Sequence, residues 1–509
     1  MLFKISSAAL RGIEAYLVDV EVDVGLGFPN YVTVGLPDTA VKESKERVRA
    51  ALRNCGYELP ARKITINLAP ADRRKEGSSF DLPIALGLLA DMGLFPGEKL
   101  KDYLFLGELA LDGRLKPVRG ALSAALLAQR AGFNGLVLPA CCAREAALVR
   151  DLDVFGLESL TLVVRFLRGD ERPEPVRIPP EELLRRPEHD ADFKDVRGQF
   201  HVKRALEVAA AGGHNILLVG PPGAGKTMLA RRVPTILPEM TFDEILEVTQ
   251  VYSAAGLAPG EGAVVLRPFR APHHTITDAG LIGGGLVPRP GEITLAHRGV
   301  LFLDEMPEFR RKVLEDLRQP LEEGRVTISR VNGSTVFPCG FMMVAAMNPC
   351  EDVFRGLARE AQECSDSERA RYYARISGPL LDRVDILVEA PAVSFRDIVS
   401  RVEAETSEAI RARVGAARRR QEERLAGART RGRRIYTNSQ MNTREVKKHC
   451  PVDAESLRLL ETAVTKLGLS ARAYDRVLKV ARTIADLAGE ESIRSAHLSE
   501  AVQYRMMER

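Results

Sequence analysis

The sequence predicts an α/β protein in three parts: an α/β domain over residues 1–168, a second α/β domain over 191–394, and a helical region over 395–509, with a linker at 169–190. Three observations predict this. Short β-rich runs alternate with helical segments through the first ~165 residues. A strand, a glycine-rich loop and a helix follow one another at 212–230, and beyond Pro391 the pattern turns helical. A chain of 509 residues exceeds one hydrophobic core, which fits several domains.

In the first part, Tyr16–Val24, Tyr31–Val34, Ile64–Leu68, Tyr103–Leu106 and Gly135–Leu138 read as strands, and Val41–Cys55 and Pro83–Met92 as helices. The run DERPEPVRIPPEELLRRPEH, between Gly169 and His189, is rich in proline and charge and reads as a linker.

The central part opens on GGHNILLVGPPGAGKTMLA. The apolar run Ile216–Val219 leads into Gly220, Pro221, Pro222, Gly223, Ala224, Gly225, Lys226 and Thr227, followed by Met228 and further helix formers, which completes the G-x-x-x-x-G-K-[ST] spacing. Glycines let several backbone N–H groups converge on one phosphate at the positive end of a helix. Lys226 then reaches the β- and γ-phosphates, and the Thr227 hydroxyl is a ligand for Mg²⁺. The pattern predicts binding of a nucleoside triphosphate.

Gly299-Val-Leu-Phe-Leu-Asp304-Glu305 is an apolar strand ending in two acids. It predicts Asp304 beside Mg²⁺ and Glu305 as the base that orients an attacking water. Phe341-Met-Met-Val-Ala-Ala-Met-Asn348 is a second apolar strand, and its closing amide either meets the γ-phosphate or simply starts the turn before Pro349. Between the loop and the acidic strand, residues 252–298 carry Arg267, Arg270, His273, His274 and three successive glycines. Adjacent histidines point apart, so this pair reads as loop histidines rather than a metal site. RVTISRVNGSTVFP, residues 325–338, reads as a hairpin turning at Asn332-Gly333.

The helical part contains ten arginines against two glutamates over Arg411–Arg434. Such a run is commonly a solvated helix. Here the sign imbalance defeats i,i+4 pairing, and the Arg429–Arg434 loop suits sequence-blind phosphate contact through Arg431, Arg433 and Arg434. Aromatics are too scarce nearby for base stacking. The net charge of +4 excludes a global field for nucleic acid. The N-terminus lacks a continuous apolar core, so neither a signal peptide nor a membrane span is expected. Seven cysteines, an odd number in a large chain, fit a reducing cytoplasm.

Taken together, the phosphate loop, LFLDE, AAMNP, SGPLLDR (377–383) and SARAYDR (470–476) resemble, in this order, the AAA+ ATPases of the magnesium-chelatase type. GLPDTAVKESKERVRAALRNCGY, DVRGQFHVKRALEVAAAGGHNILLVGPPGAGKTMLARR and FRAPHHTITDAGLIGGG resemble the ComM/YifB group nearly end to end. The resemblance implies ATP and Mg²⁺ as cofactors, a cytoplasmic homo-hexamer, and a helicase that promotes branch migration on single-stranded or branched DNA. It implies Asn348 as γ-phosphate sensor, Arg383 as a finger reaching the neighbouring subunit's nucleotide, Arg472 as a lid sensor, and Val196–Gln199 along the adenine side. In related ATPases, hairpins such as 325–338 point toward the ring's pore. Arg330 is then a DNA-phosphate contact, unless the hairpin simply packs on its domain.

Ala69–Pro83 resembles the segment that carries the nucleophilic serine of Lon-type proteases, with Ser79 at the serine position. Leu122 falls where that family has its lysine, and Lys116 lies on the preceding loop. The first domain is therefore expected to have a Lon-like (ribosomal S5 domain 2-like) fold without the dyad, serving DNA binding or assembly. Cys350 and Cys364 alone remain of the cysteine set common after NPC in the ComM/YifB group, too few for structural zinc. Competing readings are a chelatase-type motor serving a porphyrin complex, an ATP-dependent protease and a remodelling chaperone.

Overall fold

The structure is a computed structural model that describes residues 2–179, 189–260, 262–285, 287–330, 333–350, 364–393, 404–430, 433–467 and 470–505. It divides into two compact units, Met1–Arg186 with Thr241–Val265, and Pro187–Met240 with Leu266–Arg509.

The first unit holds a four-stranded sheet in the order Leu2–Arg11, Glu14–Gly25, Lys63–Ala69, Asn30–Val34. The first three strands run antiparallel, and Asn30–Val34 joins parallel to Lys63–Ala69. Alternation is clean on the second strand: Val18, Val20, Val22 and Val24 are buried, whereas Asp19, Glu21 and Asp23 lie on the opposite face. Beneath the apolar face lie helices Thr39–Asn54 and Asp81–Asp91, which share its core. Asp38 caps the first of these through the Val41 N–H at 2.7 Å, and Val41, Val48 and Leu52 form its buried stripe. A parallel sheet of Tyr103–Phe105, Gly135–Pro139 and Asp153–Leu157 and a short antiparallel pair, Glu108–Leu109 with Leu115–Lys116, add to the strand framework, so Lys116 lies on a strand rather than on the expected loop.

Helix Phe242–Ala255 belongs to this unit, although its residues fall inside the stretch that the sequence assigns to the ATPase region. A Thr241/Glu244 capping box starts it, and its apolar positions Ile245, Val248 and Val251 are buried. It is tied down by Gln250 Nε2 donating to the Ile13 carbonyl at 3.0 Å and by the Gly120 N–H donating to the Ser253 carbonyl at 3.1 Å. The chain thus leaves the second unit after the phosphate-loop helix and returns at Leu266.

The second unit is built on a five-stranded, all-parallel sheet in the order Phe269–Arg270, Val300–Leu303, Met342–Met347, Ile216–Val219, Ile386–Glu389. The three central strands are buried at every residue, as a sheet covered on both faces requires. Its core continues into helices Phe200–Gly212, Ser407–Arg424, Ala471–Ala488 and Ser495–Gln503. Two arginines of Ser407–Arg424 are not spare charges for phosphate, because they find acids outside the helix. Arg413 pairs with Glu207 and Glu405, and Arg424 with the buried Asp486. The 325–338 hairpin is present, but Gly333 already pairs with Arg330 inside the ladder, with φ +121°, so it is a strand residue rather than part of the turn. Residues 331–332 lie outside the described ones.

Cys350 and Cys364 form a disulfide, and Cys55, Cys141, Cys142, Cys339 and Cys450 are free. Among the described residues no helix is long and apolar enough to cross a membrane.

Candidate functional site

Parallel order brings three strand ends together. Met342–Met347 lies between Ile216–Val219 and Val300–Leu303, so the residues that follow each strand emerge side by side at one sheet edge. Those residues are the phosphate loop, Asp304-Glu305 and Asn348. Crevices outside the carboxyl ends of such strands are where open α/β sheets hold ligands.

The loop is shaped by its glycines. Gly223 and Gly225 sit at φ +80° and +82°, and a Cβ on Gly220 would lie 2.0 Å from the Ala390 carbonyl oxygen. Helix Lys226–Ile236 then begins directly at the lysine. The buried Lys226 ammonium donates to the Gly220 and Pro221 carbonyls at 2.5 and 2.9 Å and to Asn348 Oδ1 at 3.0 Å. Thr227 Oγ1 donates to Asp304 Oδ2 at 2.7 Å, and Asp304 Oδ1 accepts the Glu305 N–H at 3.0 Å. A hydroxyl and a carboxylate in contact, beside the glycine loop, are the hard oxygen donors that suit Mg²⁺ beside a polyphosphate. Such an ion neutralises charge on the phosphate oxygens. Among the described residues no group of three or more His, Cys, Asp or Glu side chains gathers at a metal-binding spacing.

Gln199 lies against the loop. Its left-handed backbone (φ +54°) starts helix Phe200–Gly212, and its Nε2 donates to the Ala224 carbonyl at 3.3 Å and the Pro391 carbonyl at 2.5 Å. Met228, on the second residue after the lysine, is 39% exposed.

Arg383 is placed elsewhere. Its guanidinium contacts Glu322 and the Pro379 carbonyl, and the structure records no bond from it to the phosphate loop. Burial, followed by the charges of Arg318, Arg476 and Arg472, lowers its pKa. It lines an open cleft with Glu315, Asp316, Arg318, Gln319 and Glu322. Arg472, exposed in the first turn of Ala471–Ala488, thus shares the environment of Arg383.

Of the expected DNA contacts, Arg330 is exposed at the hairpin's edge beside Gly284. Arg434 is exposed with its guanidinium 5.1 Å from the Tyr436 ring centre, and Arg298 approaches the same ring at 5.7 Å. Arg433 lies in the two-residue strand Arg433–Arg434, and Arg431 falls outside the described residues. In the first unit Leu122 is fully buried and Lys116 is exposed. The acid beside the serine segment, Asp81, is consumed by Arg47 at 2.7 and 3.0 Å.

Sequence reasoning missed three residues at this site. Asn215 accepts the Met343 N–H at 2.9 Å and donates to the Arg383 carbonyl at 3.0 Å, joining the strand that ends in Asn348 to the Arg383 segment. Glu322 holds Arg383. His274 Nδ1 stands 3.4 Å from Glu305 Oε2. For His274 the one local signal was its place in FRAPHHT, since 31 positions separate it from Glu305 in the chain.

A phosphate loop, an acidic strand end and a polar amide converging on an all-parallel sheet define the P-loop nucleotide-site class. The sequence comparisons narrow it. Three family models match: magnesium chelatase subunit ChlI over residues 192–398, subunit ChlI of Mg-chelatase over 20–141, and the ChlI C-terminal model over 404–505. The chain is 45% identical to competence protein ComM of Haemophilus influenzae, over 99% of this chain and 97% of the relative. It is 42% identical to the YifB protein of Escherichia coli over the same shares. It is also 32% identical to Lon protease 2 of Bacillus subtilis, over 26% of each chain. The chain belongs to the ComM/YifB family of magnesium-chelatase-like AAA+ proteins.

Proposed function

We propose that the chain is an ATP-hydrolysing motor that works in the cytoplasm as a homo-hexameric ring on single-stranded or branched DNA, promoting branch migration during recombination or natural transformation. The observation that carries this reading is the pair of contacts Lys226–Asn348 and Thr227–Asp304, which joins all three strand ends into one hydrolysis site. Lys226 and Gly220–Met228 hold the phosphates, Thr227 and Asp304 hold Mg²⁺, Glu305 orients water, and Asn348 reads the γ-phosphate. Arg383 makes its contacts outside this site, which suits a finger offered to the next subunit, with Arg472 beside it. The first unit is read as a Lon-like module without its dyad, given Leu122 at the lysine position. Residues 395–509 are read as the helical lid, after the linker 169–190 and the ATPase core 191–394.

DNA as the load draws support from the printed name of the ComM relative and from the exposed Arg330 and Arg434. Three-strand branch migration tests it. Glu305→Gln is expected to bind ATP and DNA yet move no junction, and a parent ring whose ATP hydrolysis ignores forked DNA at low salt would turn the reading toward a motor on protein or porphyrin complexes. One observation favours that second reading. The outward face of Glu14–Gly25 carries Asp19, Glu21 and Asp23 in a row, with Lys4 paired to Asp19, and this excess of acid is unfavourable for phosphate.

A further inference from the structure

We propose that His274 is a positioning residue that holds the Glu305 carboxylate in the orientation needed to direct water. The inference rests on the reading of Glu305 as the water-orienting group and names the residue that makes it effective.

Glu305 needs such a partner. It follows directly on the acidic strand with a left-handed backbone (φ +51°), a conformation that non-glycine residues seldom adopt and that gathers at functional sites. Its N–H is fixed on Asp304 Oδ1, but its side chain is 56% exposed and carries three rotatable bonds. A free glutamate spreads over many rotamers, and whatever selects one must offset the lost side-chain entropy. Arg375, whose charge could serve nearby, is engaged by Glu308 at 2.6 Å. Among the described residues, the partner that the structure gives the Glu305 carboxylate is His274, 3.4 Å away.

His274 is itself held. Contrary to the expectation that adjacent histidines point apart, its ring packs at 4.1 Å on the ring of His273, which is anchored in turn through Nδ1 on Thr275 Oγ1 at 2.9 Å. On another side it meets Phe309 edge-on at 6.4 Å. Two ring contacts leave little freedom at His274, so its Nδ1 faces the carboxylate as a fixed group. His274 Nδ1 is the ring nitrogen that approaches Oε2, and this one-sided approach leaves the other carboxylate oxygen for water. The paired histidines in FRAPHHT thereby divide the work: His273 buttresses, and His274 touches the acid.

The test compares ATP hydrolysis by the full chain in the presence of DNA. His274→Ala is expected to lower kcat about tenfold or more, a part of the factor that a positioned base contributes, with KM for ATP and binding of a fluorescent ATP analogue within about twofold of the parent. His274→Gln, whose amide keeps an N–H donor, is expected to recover most of the loss. A kcat within about twofold for His274→Ala would overturn the proposal, as would equal losses in both variants accompanied by equal falls in thermal midpoint. Glu305→Gln separates the two levels. If it abolishes turnover while His274→Ala does not lower it, only the positioning role fails; if Glu305→Gln still turns over, the reading of Glu305 fails first.

Discussion

The two sheets of this protein use polar residues in opposite ways. In the first unit, strands alternate, so acids occur along the whole length of Glu14–Gly25 and face outward at Asp19, Glu21 and Asp23. In the second, the three central strands are buried at every position, and the first polar side chains come where the strands end. Desolvation enforces that difference: an unpaired carboxylate inside a doubly covered sheet costs several kcal/mol, so chemistry collects at the edge. In the first unit, buried Asp81 is held in a pair by Arg47 rather than offered at an open strand end. One sheet concentrates reactivity; the other disperses charge over a surface.

The sharpest way to break this comparison is to ask whether the second sheet's edge is complete. Arg383 is expected to act on a neighbouring chain's edge, so Arg383→Ala should lower ATP hydrolysis by about 10³-fold or more, the range an arginine finger supplies. Lys226→Ala should be inactive for a different reason. Mixed before ring assembly, the two inactive chains should regain about a quarter of parent activity, because a random head-to-tail ring pairs an intact loop with an intact finger at that frequency. Mixtures as dead as either component would place Arg383 on its own chain's nucleotide or in the fold alone.

That edge was largely legible in the sequence because each part is local. A glycine loop, LFLDE and AAMN each pair a buried strand with the polar residues that follow it, within about a dozen residues. The contacts that tune the edge were not legible: His274 on Glu305, Glu322 on Arg383 and Asn215 on Met343 join residues far apart in the chain. The first unit shows the same division. Tyr16–Val24 and Ile64–Leu68 emerged as strands from their period-two pattern, whereas Leu2–Arg11, LFKISSAALR, was overlooked. Its serines and alanines fit no period, and full pairing with Glu14–Gly25 makes it a strand. Helix Phe242–Ala255 had legible periodicity, but its partner, helix Ala121–Ala131, lies more than a hundred residues upstream.

The docking of that helix supplies a second, smaller effect, confined to the first unit. Glu145 is buried there, with Oε1 accepting the Ser253 hydroxyl at 3.2 Å and Oε2 without a partner among the described residues. Burial pushes its pKa from 4.5 up to about 7. A carboxyl whose folded pKa is raised favours the folded state while protonated. Its contribution is full below pH 4.5 and is lost as pH rises to about 7. The whole effect is on the order of 3 kcal/mol. Denaturant unfolding followed in the first unit should therefore show the parent losing stability across this window relative to Glu145→Gln, which keeps the shape without the charge. Parallel pH profiles for parent and variant would show that the carboxyl stays ionised throughout.

The smallest expected effect separates the two surfaces by their response to salt. Within the arginine-rich stretch, Arg413 and Arg424 are already engaged by acids, so their charges are spent inside the unit. Arg434 is exposed and its recorded neighbour is the Tyr436 ring, which leaves the guanidinium's charge uncompensated by any carboxylate in that contact. If it meets a DNA phosphate, replacing it removes one released counterion. The slope of log affinity for single-stranded DNA against log salt should then flatten by about 0.7 for Arg434→Ala. On the first unit's sheet, Asp23→Asn removes a charge of opposite sign from a face that repels phosphate at a distance, and it leaves the number of neutralised phosphates unchanged. Its slope should match the parent's, with affinity raised slightly if DNA passes that face at all. Equal slopes for all three proteins would remove Arg434 from the contact; a steeper slope for Asp23→Asn would mean that the acidic face itself lies on the DNA path, and the contrast between the two sheets would then hold for catalysis but not for binding.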